Sequence, residues 1–282
     1  MGATGAQELR AFLTNRCGSR ASDTPTQLGP GTWRLLADGR AIVAKRMPQA
    51  HPPAAFRQTI AAIQRASIGC PRLLDCLEQG EHWYALFAFV DGVPLPQRRP
   101  VDIGWDDVFM LLARLATVTR PLPPRNIERH WLERVSSLRR HDAMAARLLN
   151  ALTEHAPIGI PCLAHGDFAP QNVLDSASGL VLIDWEEAGA SSPGFDVGWL
   201  LALNRIGAGL RMNREALLAR ATALRIPISN AIWFEGLGLL RLEWRATSWL
   251  TTRPHLGAVV EKIRSAVSEF TDECLGALCA GP

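Results

Sequence analysis

About a third of the way along the chain, the spacing of apolar positions changes from a pattern of strands with one helix to a mostly helical pattern. Residues 32–36 and 40–45 are predicted as two strands, joined by a turn that contains the Asp38-Gly39 pair. Residues 54–66 carry apolar side chains at helical spacing, and the nearly continuous apolar run of residues 83–90 suits a central strand covered on both faces. The first third of the chain therefore predicts a small sheet with one helix.

The remainder of the chain has a mostly helical pattern. Asp91-Gly92-Val93-Pro94 ends the apolar run, and we expect a lobe boundary there, with residues 1–90 in one lobe and 91–282 in the other. Helices are predicted over residues 105–119, 131–155, 197–206, 214–224, 228–250 and 256–278. A leading helix (7–17), a loop (18–30) and a short hairpin of strands 173–174 and 180–183 complete the prediction.

Composition excludes several classes of protein. With 282 residues, 48% of them hydrophobic, the chain can bury a sizeable core. The net charge is +3 without a dense Lys/Arg run, so nothing indicates a nucleic-acid partner. The six cysteines form no Cys-x-x-Cys pair and are expected to be reduced thiols of a cytoplasmic protein. No signal segment and no apolar run of about 20 residues is found, so no membrane association is expected. The oligomeric state is left open.

The chemistry of the chain is concentrated between residues 163 and 187. Asp167 follows His165-Gly166, Asn172 comes five positions later, and Asp184 leaves the second strand of the predicted hairpin, which returns it close to Asn172. Phosphoryl transfer needs one carboxylate for the attacking hydroxyl, and a carboxylate and an amide oxygen for the metal on the phosphates. We therefore expect Asp167 to be the catalytic base and Asn172 and Asp184 to bind Mg²⁺.

The pattern His-Gly-Asp-x4-Asn followed by Ile-Asp-Trp-Glu resembles the aminoglycoside phosphotransferase-like branch of the protein-kinase-like superfamily, which also includes choline, homoserine and sugar kinases. The resemblance implies an α+β, protein-kinase-like two-lobe fold with a small antiparallel-sheet N-terminal lobe and a mainly helical C-terminal lobe. It also implies an enzyme that transfers the γ-phosphate of ATP, or of GTP, with Mg²⁺, to a hydroxyl of a small molecule. An antibiotic and a sugar-like or nucleoside-like metabolite are both compatible with the sequence.

The same resemblance assigns the nucleotide contacts. Lys45 ends an Ile-Val-Ala-Lys strand, as does the lysine that binds the α- and β-phosphates in kinase folds. Gly29 and Gly31 precede that hairpin, and their backbone is expected to approach phosphate, although Gly-Pro-Gly is also an ordinary turn. The backbone groups of Ala88 and Val90 are expected to bind the nucleotide base at the hinge between the lobes.

Three residues are assigned supporting roles. His165 resembles the histidine that braces the catalytic loop, and Asp196 resembles the aspartate that accepts hydrogen bonds from the backbone of that loop. The family pairs its lysine with a glutamate on the following helix, but residues 46–74 contain no acidic residue, and counting from the apolar positions places Gln58 there. An amide can orient Lys45 but supplies no charge, so a nucleotide-binding pseudokinase or regulator is the alternative to an active kinase.

The acceptor site is the least defined part of the prediction. Glu186 follows Asp184 closely and is expected to extend an acidic rim toward substrate. Trp199 and Trp233 lie in the region where this family builds its acceptor site, and indole faces stack on sugar rings, although a place in the helix core is the alternative for each. Basic residues outnumber acidic ones after Asp196, which argues against a polycationic acceptor.

Overall fold

The computed structural model of the chain describes residue 11 and residues 25–279, apart from 38, 48–51, 80–81, 98–103, 121, 211 and 253. The helix predicted over residues 7–17 lies outside the described residues except at Ala11, and so does most of the loop predicted over residues 18–30. None of the described helices combines the length and the apolar character that a membrane-spanning helix needs.

Among the described residues, five antiparallel strands form the N-terminal sheet in the order β1-β2-β3-β5-β4. They are β1 (Thr26–Gly29), β2 (Thr32–Ala37), β3 (Arg40–Met47), β4 (Leu73–Gln79) and β5 (His82–Ala88). Successive residues of a strand point to opposite faces, so Ile42 and Ala44 of β3 enter a small apolar cluster on one face. Val43, Lys45 and Met47 lie on the other face, toward the main core of the protein.

Helix α1 (Pro53–Arg65) covers the sheet face that carries Lys45. Its first residue is a proline, whose fixed φ suits that position of a helix. Phe56, Ile60 and Ile63 follow at intervals of three and four, so they share one buried face. Phe56 packs edge-on against Trp83 of β5, with 5.4 Å between the ring centroids.

The rest of the chain is mainly helical. The helices are α2 (Trp105–Thr117), α3 (Ile127–Val135), α4 (Ala143–Glu154), α5 (Phe195–Arg205), α6 (Arg214–Ala223), α7 (Ala231–Thr252) and α8 (Gly257–Cys279). Within the described residues, β6 (Gly92–Pro94), β8 (Val173–Ser176) and β9 (Gly179–Leu182) form a small antiparallel sheet, and β7 (Cys162–Ala164) pairs with β10 (Gly189–Ser191). Helix α7 packs against α5 and α8, which places it behind the loop between β7 and β8.

This arrangement confirms the predicted α+β class, with an antiparallel sheet followed by a helical region. Several local predictions were wrong: β1 lies within the predicted loop, and the helix predicted over residues 131–155 is divided into α3 and α4. The strands that were not predicted are β4, β6, β7 and β10. The division is at Asp142, whose carboxylate caps α4 by accepting hydrogen bonds from the N–H groups of Met144 and Ala145 at 2.8 and 2.9 Å. The lobe boundary at residue 90 stays a prediction.

Candidate active site

A cleft of about 440 Å³ lies between the N-terminal sheet and the β8–β9 hairpin. Its polar end is formed by Lys45, Asp184 and Glu186. The remaining wall is largely apolar, and its side chains come from the sheet, helix α1 and the hairpin region: Leu28, Val43, Met47, Phe56, Phe87, Leu174 and Ile183. Small-molecule sites have volumes of roughly 300–1,000 Å³. An apolar slot that ends in charged groups suits a purine base followed by its phosphates.

The glycine-bearing turn between β1 and β2 borders this cleft. Gly29 lines it, and a Cβ at that position would meet no atom within 4 Å, so the backbone there is open to a ligand. Gly31 has a φ of 72°, in the left-handed region that favours glycine, and its carbonyl accepts a hydrogen bond from the N–H of Arg46 at 2.7 Å. The turn is thereby fixed beside the strand that carries Lys45, and its contact with phosphate stays a prediction.

Ala88 and Val90 line the apolar part of the cleft, where the chain leaves β5. The N–H of Ala88 donates to the carbonyl of Arg72 at 2.9 Å, and the N–H of Phe89 donates to the carbonyl of Ala41 at 3.1 Å. A base contact at Ala88 would therefore use its carbonyl and not its N–H. The roles of Ala88 and Val90 in binding a nucleotide base stay predictions.

Two buried side chains hold the loop between β7 and β8. Asp196, at the start of α5, accepts hydrogen bonds from the N–H groups of His165 and Gly166 at 2.8 and 3.0 Å. The Nδ1 atom of His165 accepts from the N–H of Asp167 at 3.2 Å, so its Nε2 carries the proton and donates to the carbonyl of Ile183 at 2.8 Å. The imidazole thus links the loop that carries Asp167 to the strand that leads to Asp184, a geometry that supports the bracing role predicted for His165.

Gly166 allows this loop to pass close to the turn after Asp184. Its φ is 82°, and a Cβ there would collide with the carbonyl oxygen of Glu187. Any other residue at this position would separate Asp167 from the Trp185–Glu187 turn. The glycine of the His-Gly-Asp sequence is therefore required by packing as well as by conformation.

The hairpin brings the two predicted metal ligands together. The N–H of Ile183 donates to the carbonyl of Asn172 at 2.8 Å, which places Asp184 beside Asn172. The Nδ2 of the buried Asn172 donates to the carbonyl of Asp167 at 2.9 Å, so its Oδ1 is the atom left for a metal. Asp184 has a φ of 69°, a costly conformation for a residue other than glycine that is typical of functional positions.

These two residues fit a magnesium ion in their chemistry. Mg²⁺ prefers carboxylate and carbonyl oxygens and usually takes one or two of them from the protein, the others coming from phosphate and water. No group of three or more His, Cys, Asp and Glu side chains suited to a metal occurs in the described part of the chain. The donor set of Asn172 and Asp184 is therefore of the kind that binds a metal together with a nucleotide.

Lys45 lies between two carboxylates at the polar end of the cleft. Its Nζ forms an ion pair with Asp184 and lies 3.3 Å from Oε2 of Glu186. Burial alone would lower the pKa of Lys45, but the two carboxylates raise it above its ordinary value, so the ammonium group stays charged. Burial raises the pKa of Glu186, and the charge of Lys45 opposes that shift. Glu186 thus lines the same cleft as Lys45, and its contact with substrate stays a prediction.

The structure does not bring Gln58 to Lys45. Gln58 is exposed on α1, whereas the residue of α1 that lines the cleft is Phe56. Two positions along a helix correspond to about 200° around its axis, so these side chains lie on opposite faces. The expected amide contact is therefore replaced by the ion pairs of Lys45 with Asp184 and Glu186.

The side chains that contact Asp167 were missed by the sequence predictions. Arg241 on α7 donates a hydrogen bond to the carbonyl of Gly166, and its Nη2 lies 3.1 Å from Oδ1 of Asp167. Arg245 follows one turn later, and its Nη1 lies 3.7 Å from the same oxygen. The other carboxylate oxygen of Asp167 lies 3.5 Å from Nδ2 of Asn172.

Arg241 is held between two aromatic rings. Its guanidinium carbon lies 4.3 Å from the ring centroid of Trp131 on α3 and 4.2 Å from that of Trp199 on α5. Burial lowers the pKa of Arg241 to about 10, although the charge of Asp167 opposes the shift. The side chain therefore remains a cation at neutral pH.

A second ion pair adjoins this contact. Oε2 of Glu187 lies 2.6 Å from Nη2 of Arg125, and its Oε1 lies 4.0 Å from Nη2 of Arg245. Burial would raise the pKa of Glu187, but the charges of Arg241, Arg125 and Arg245 lower it below its ordinary value. Glu187 is therefore an anion enclosed by cations.

Comparison with protein families agrees with this geometry. A profile of the phosphotransferase enzyme family matches residues 29–225, more than half of the chain, from the glycine turn through Lys45 and the loop between β7 and β8 to just beyond α6. The chain belongs to this family. None of the curated proteins compared with it matches.

Solved structures of phosphotransferases and kinases share the fold. The microcompartment-associated aminopropanol kinase superposes with a TM-score of 0.72 at 16% identity, over 96% of this chain and 98% of that chain. A thermostable mutant of aminoglycoside phosphotransferase APH(4)-Ia, in a ternary complex with ADP and hygromycin B, gives 0.69 at 16%, over 94% and 98%. A choline/ethanolamine kinase family protein from Mesorhizobium loti gives 0.67 at 14%, over 98% and 99%. At such identities the likeness shows the fold alone.

The two tryptophans predicted to contact substrate are core residues in this phosphotransferase-family chain. Trp233 is buried, and its Nε1 donates to the carbonyl of Leu152 at 3.1 Å. Trp199 is buried too and reaches the site through Arg241. The alternative of a helix-core role is therefore the one that the packing of both residues supports.

Proposed function

We propose that this chain is an ATP-dependent small-molecule kinase, with GTP as the alternative donor, that transfers the γ-phosphate to a hydroxyl group. The observation that carries the proposal is that Lys45 and Asp184, at the polar end of one apolar cleft, converge with Asn172 and Asp167, which lie next to that end. Each group matches one requirement of phosphoryl transfer: a cation for the phosphates, two oxygen ligands for a metal, and a carboxylate for the attacking hydroxyl.

In this proposal, Lys45 binds the phosphates of the nucleotide. Its ammonium group is already charged and lies beside Asp184, the predicted metal ligand. Asn172 and Asp184 would hold Mg²⁺, which neutralises the phosphate oxygens when bound. Asp167 orients the acceptor hydroxyl and accepts its proton, while Arg241 fixes the carboxylate of Asp167 from behind.

The similar structures support a small-molecule acceptor. Their names refer to an aminopropanol kinase, a choline/ethanolamine kinase family protein, and an aminoglycoside phosphotransferase bound to ADP and hygromycin B. An antibiotic and a sugar-like or nucleoside-like metabolite are both within this range. The pseudokinase alternative is the weaker one, because Asp167, Asn172 and Asp184 are all retained and Lys45 has carboxylate partners without a glutamate on α1.

Replacing Asp167 by asparagine tests the proposal. We expect ADP formation, with or without acceptor, to fall by about 10²–10⁴, because the carboxylate acts on the attacking oxygen. Nucleotide affinity, measured by calorimetry, should change by less than about fivefold, because Asp167 does not line the nucleotide cleft.

Asp106→Asn, at the exposed start of α2, is the matched control and should leave the rate unchanged. If Asp167→Asn keeps activity within tenfold of the wild type, Asp167 is not the base. If the wild-type protein binds nucleotide without any turnover, the pseudokinase alternative is correct.

A further inference from the structure

The carboxylate partners of Lys45 both come from the turn that follows β9 (residues 184–187). Asp184 and Glu186 lie in this turn, whereas Lys45 lies on β3 of the N-terminal sheet. Among the described residues that line the cleft, these three are the charged ones. Helix α1, which covers the same face of the sheet, contributes the apolar Phe56 to the lining. The lysine is therefore oriented by charged groups across the cleft, and not by the helix beside it.

The two carboxylates differ in the other role proposed for them. Asp184 is, with Asn172, a proposed ligand of Mg²⁺, a dication that prefers carboxylate oxygens. A carboxylate that ligates a dication attracts an ammonium group less strongly, because the metal offsets its negative charge and repels the ammonium. Glu186 is not one of the proposed ligands, and its Oε2 lies 3.3 Å from Nζ of Lys45. Glu186 is therefore the partner that Lys45 keeps when Asp184 holds the metal.

The backbone that carries Glu186 is held on two sides. The guanidinium of Arg125 donates to the carbonyl of Glu186 at 3.2 Å and to the carboxylate of Glu187 at 2.6 Å. Trp185 is buried, and its Nε1 donates to the carbonyl of Leu182 at 2.8 Å. A fixed backbone limits the directions that the side chain of Glu186 can take. A residue that positions another side chain has to be fixed in this way.

Lys45 has the properties of a side chain that needs such a partner. Its ammonium group is a point charge at the end of a flexible four-carbon chain, and ordering that chain has an entropic cost. The side chain is 12% exposed, so water replaces a lost carboxylate partner only in part. A lysine that is already ordered by Glu186 binds phosphate without that additional cost.

We propose that Glu186 is the positioning residue of Lys45 and that it directs the ammonium group toward the phosphates when metal and nucleotide are bound. The inference rests on the proposed kinase function. It gives to the turn after β9 the role that the family resemblance assigned to a glutamate on the helix after β3. Because the same turn carries Asp184, the proposed metal ligand and the partner of Lys45 move together, and a displacement of α1 does not by itself release the lysine.

A double-mutant cycle tests this role without requiring an acceptor. The wild type, Glu186→Gln, Lys45→Met and the double variant are titrated by calorimetry with AMP-PNP and Mg²⁺. We expect Glu186→Gln alone to weaken binding at least about threefold, because Lys45 loses its remaining carboxylate partner. In the Lys45→Met background the same substitution should not weaken binding, because only the repulsion between a carboxylate and the phosphates is removed there.

The same titrations with EDTA in place of Mg²⁺ separate the two partners of Lys45. Without metal, Asp184 still pairs with the ammonium group, so Glu186→Gln should weaken binding by less than about twofold. Glu133→Gln is the matched control for the loss of a carboxylate, since Glu133 lies on α3 with 65% of its side chain exposed. It should shift the affinity by less than about twofold with or without Mg²⁺.

The inference is overturned if Glu186→Gln weakens Mg²⁺-dependent binding by less than about threefold, or if the weakening persists in the Lys45→Met background. The second result would make Glu186 a metal ligand or a direct contact of the nucleotide. Glu186→Asp keeps the charge but withdraws the carboxylate from Nζ of Lys45, so it should show the same dependence on Lys45 and replaces Glu186→Gln if that variant does not fold. A wild-type protein that does not bind AMP-PNP with Mg²⁺ would instead remove the kinase proposal itself, and this inference with it.

Discussion

Replacing Arg241 by methionine should destabilise the folded protein by about 2–4 kcal/mol. Arg241 has 1% of its side chain exposed, donates to the carbonyl of Gly166 and the carboxylate of Asp167, and lies between two indole rings. Methionine has a similar length and fills the space between the rings, so the change removes charge and hydrogen bonds more than volume.

The magnitude follows from what remains buried after the substitution. Removing one partner of a buried ion pair costs about 3–5 kcal/mol, because the other charge is left uncompensated. Asp167 keeps 19% of its side chain exposed and can recover part of its hydration, which lowers the expected loss. The carbonyl of Gly166 loses a charged donor, a loss of about 1–3 kcal/mol, while the guanidinium itself no longer has to be desolvated.

Urea unfolding at pH 7.5 measures the effect, with Arg129→Met as the matched control. Arg129 forms an exposed i,i+4 pair with Glu133 on α3, its side chain being 82% exposed, so its loss should cost less than about 0.5 kcal/mol. The double variant Arg241→Met, Asp167→Asn should lose less free energy of unfolding than the sum of the losses in the two single variants, because the two residues contact each other. A loss below about 1 kcal/mol for Arg241→Met, or strict additivity in the double variant, would refute the view that Arg241 stabilises the Asp167 loop.

Three further outcomes follow from the described contacts. Asp184→Ala should abolish the Mg²⁺-dependent part of the thermal stabilisation by ATP, and an unchanged melting shift would contradict the metal assignment. Lys45→Met should raise the nucleotide KM and lower kcat, whereas Gln58→Leu on the exposed face of α1 should change both by less than about twofold in the same steady-state titration. Burial and the neighbouring Asp142 raise the pKa of Glu243 from 4.5 to about 7. Between these pH values the folded state keeps a proton that the unfolded chain releases, so the free energy of unfolding should decrease as the pH rises from 4.5 to 7. Glu243→Gln should remove up to about 3 kcal/mol of this decline in the free energy of unfolding. If the urea midpoint of the variant falls between pH 5 and pH 8 as much as that of the wild type, Glu243 is not the cause.

Local sequence patterns were sufficient to predict the strands that carry or flank the proposed catalytic groups. The apolar runs that became β3, β5 and the β8–β9 hairpin lie within two residues of their predicted limits. Asp167, Asn172 and Asp184 are close in sequence, and a hairpin between them leaves little freedom in how they meet. Edge strands were harder to predict. β1 has four mostly exposed residues, and the alternation of β4 is broken by a register shift between Leu73 and Asp75.

The placement of Gln58 failed for a geometrical reason. The prediction counted from the apolar positions of the helix and reached Gln58, which is two positions from Phe56. The buried stripe of α1 runs through Phe56, Thr59, Ile60 and Ile63, so any residue that faces Lys45 has to share that stripe. The apolar periodicity already contained this information, and it implies that the helix offers the lysine no charged partner.

Arg241 shows where sequence reasoning reaches its limit. It lies among Leu239, Leu240 and Leu242, all buried, and an arginine in such a run needs a partner inside the protein. That signal is visible in the sequence, but the partner, Asp167, is 74 positions away and depends on how α7 packs behind the loop between β7 and β8. Counting basic residues after Asp196 leaves out Arg125 and Glu187, which precede that segment and belong to the ion pairs beside Asp167. The charge around Asp167 is therefore a property of the packed site, and a count along the chain does not give it.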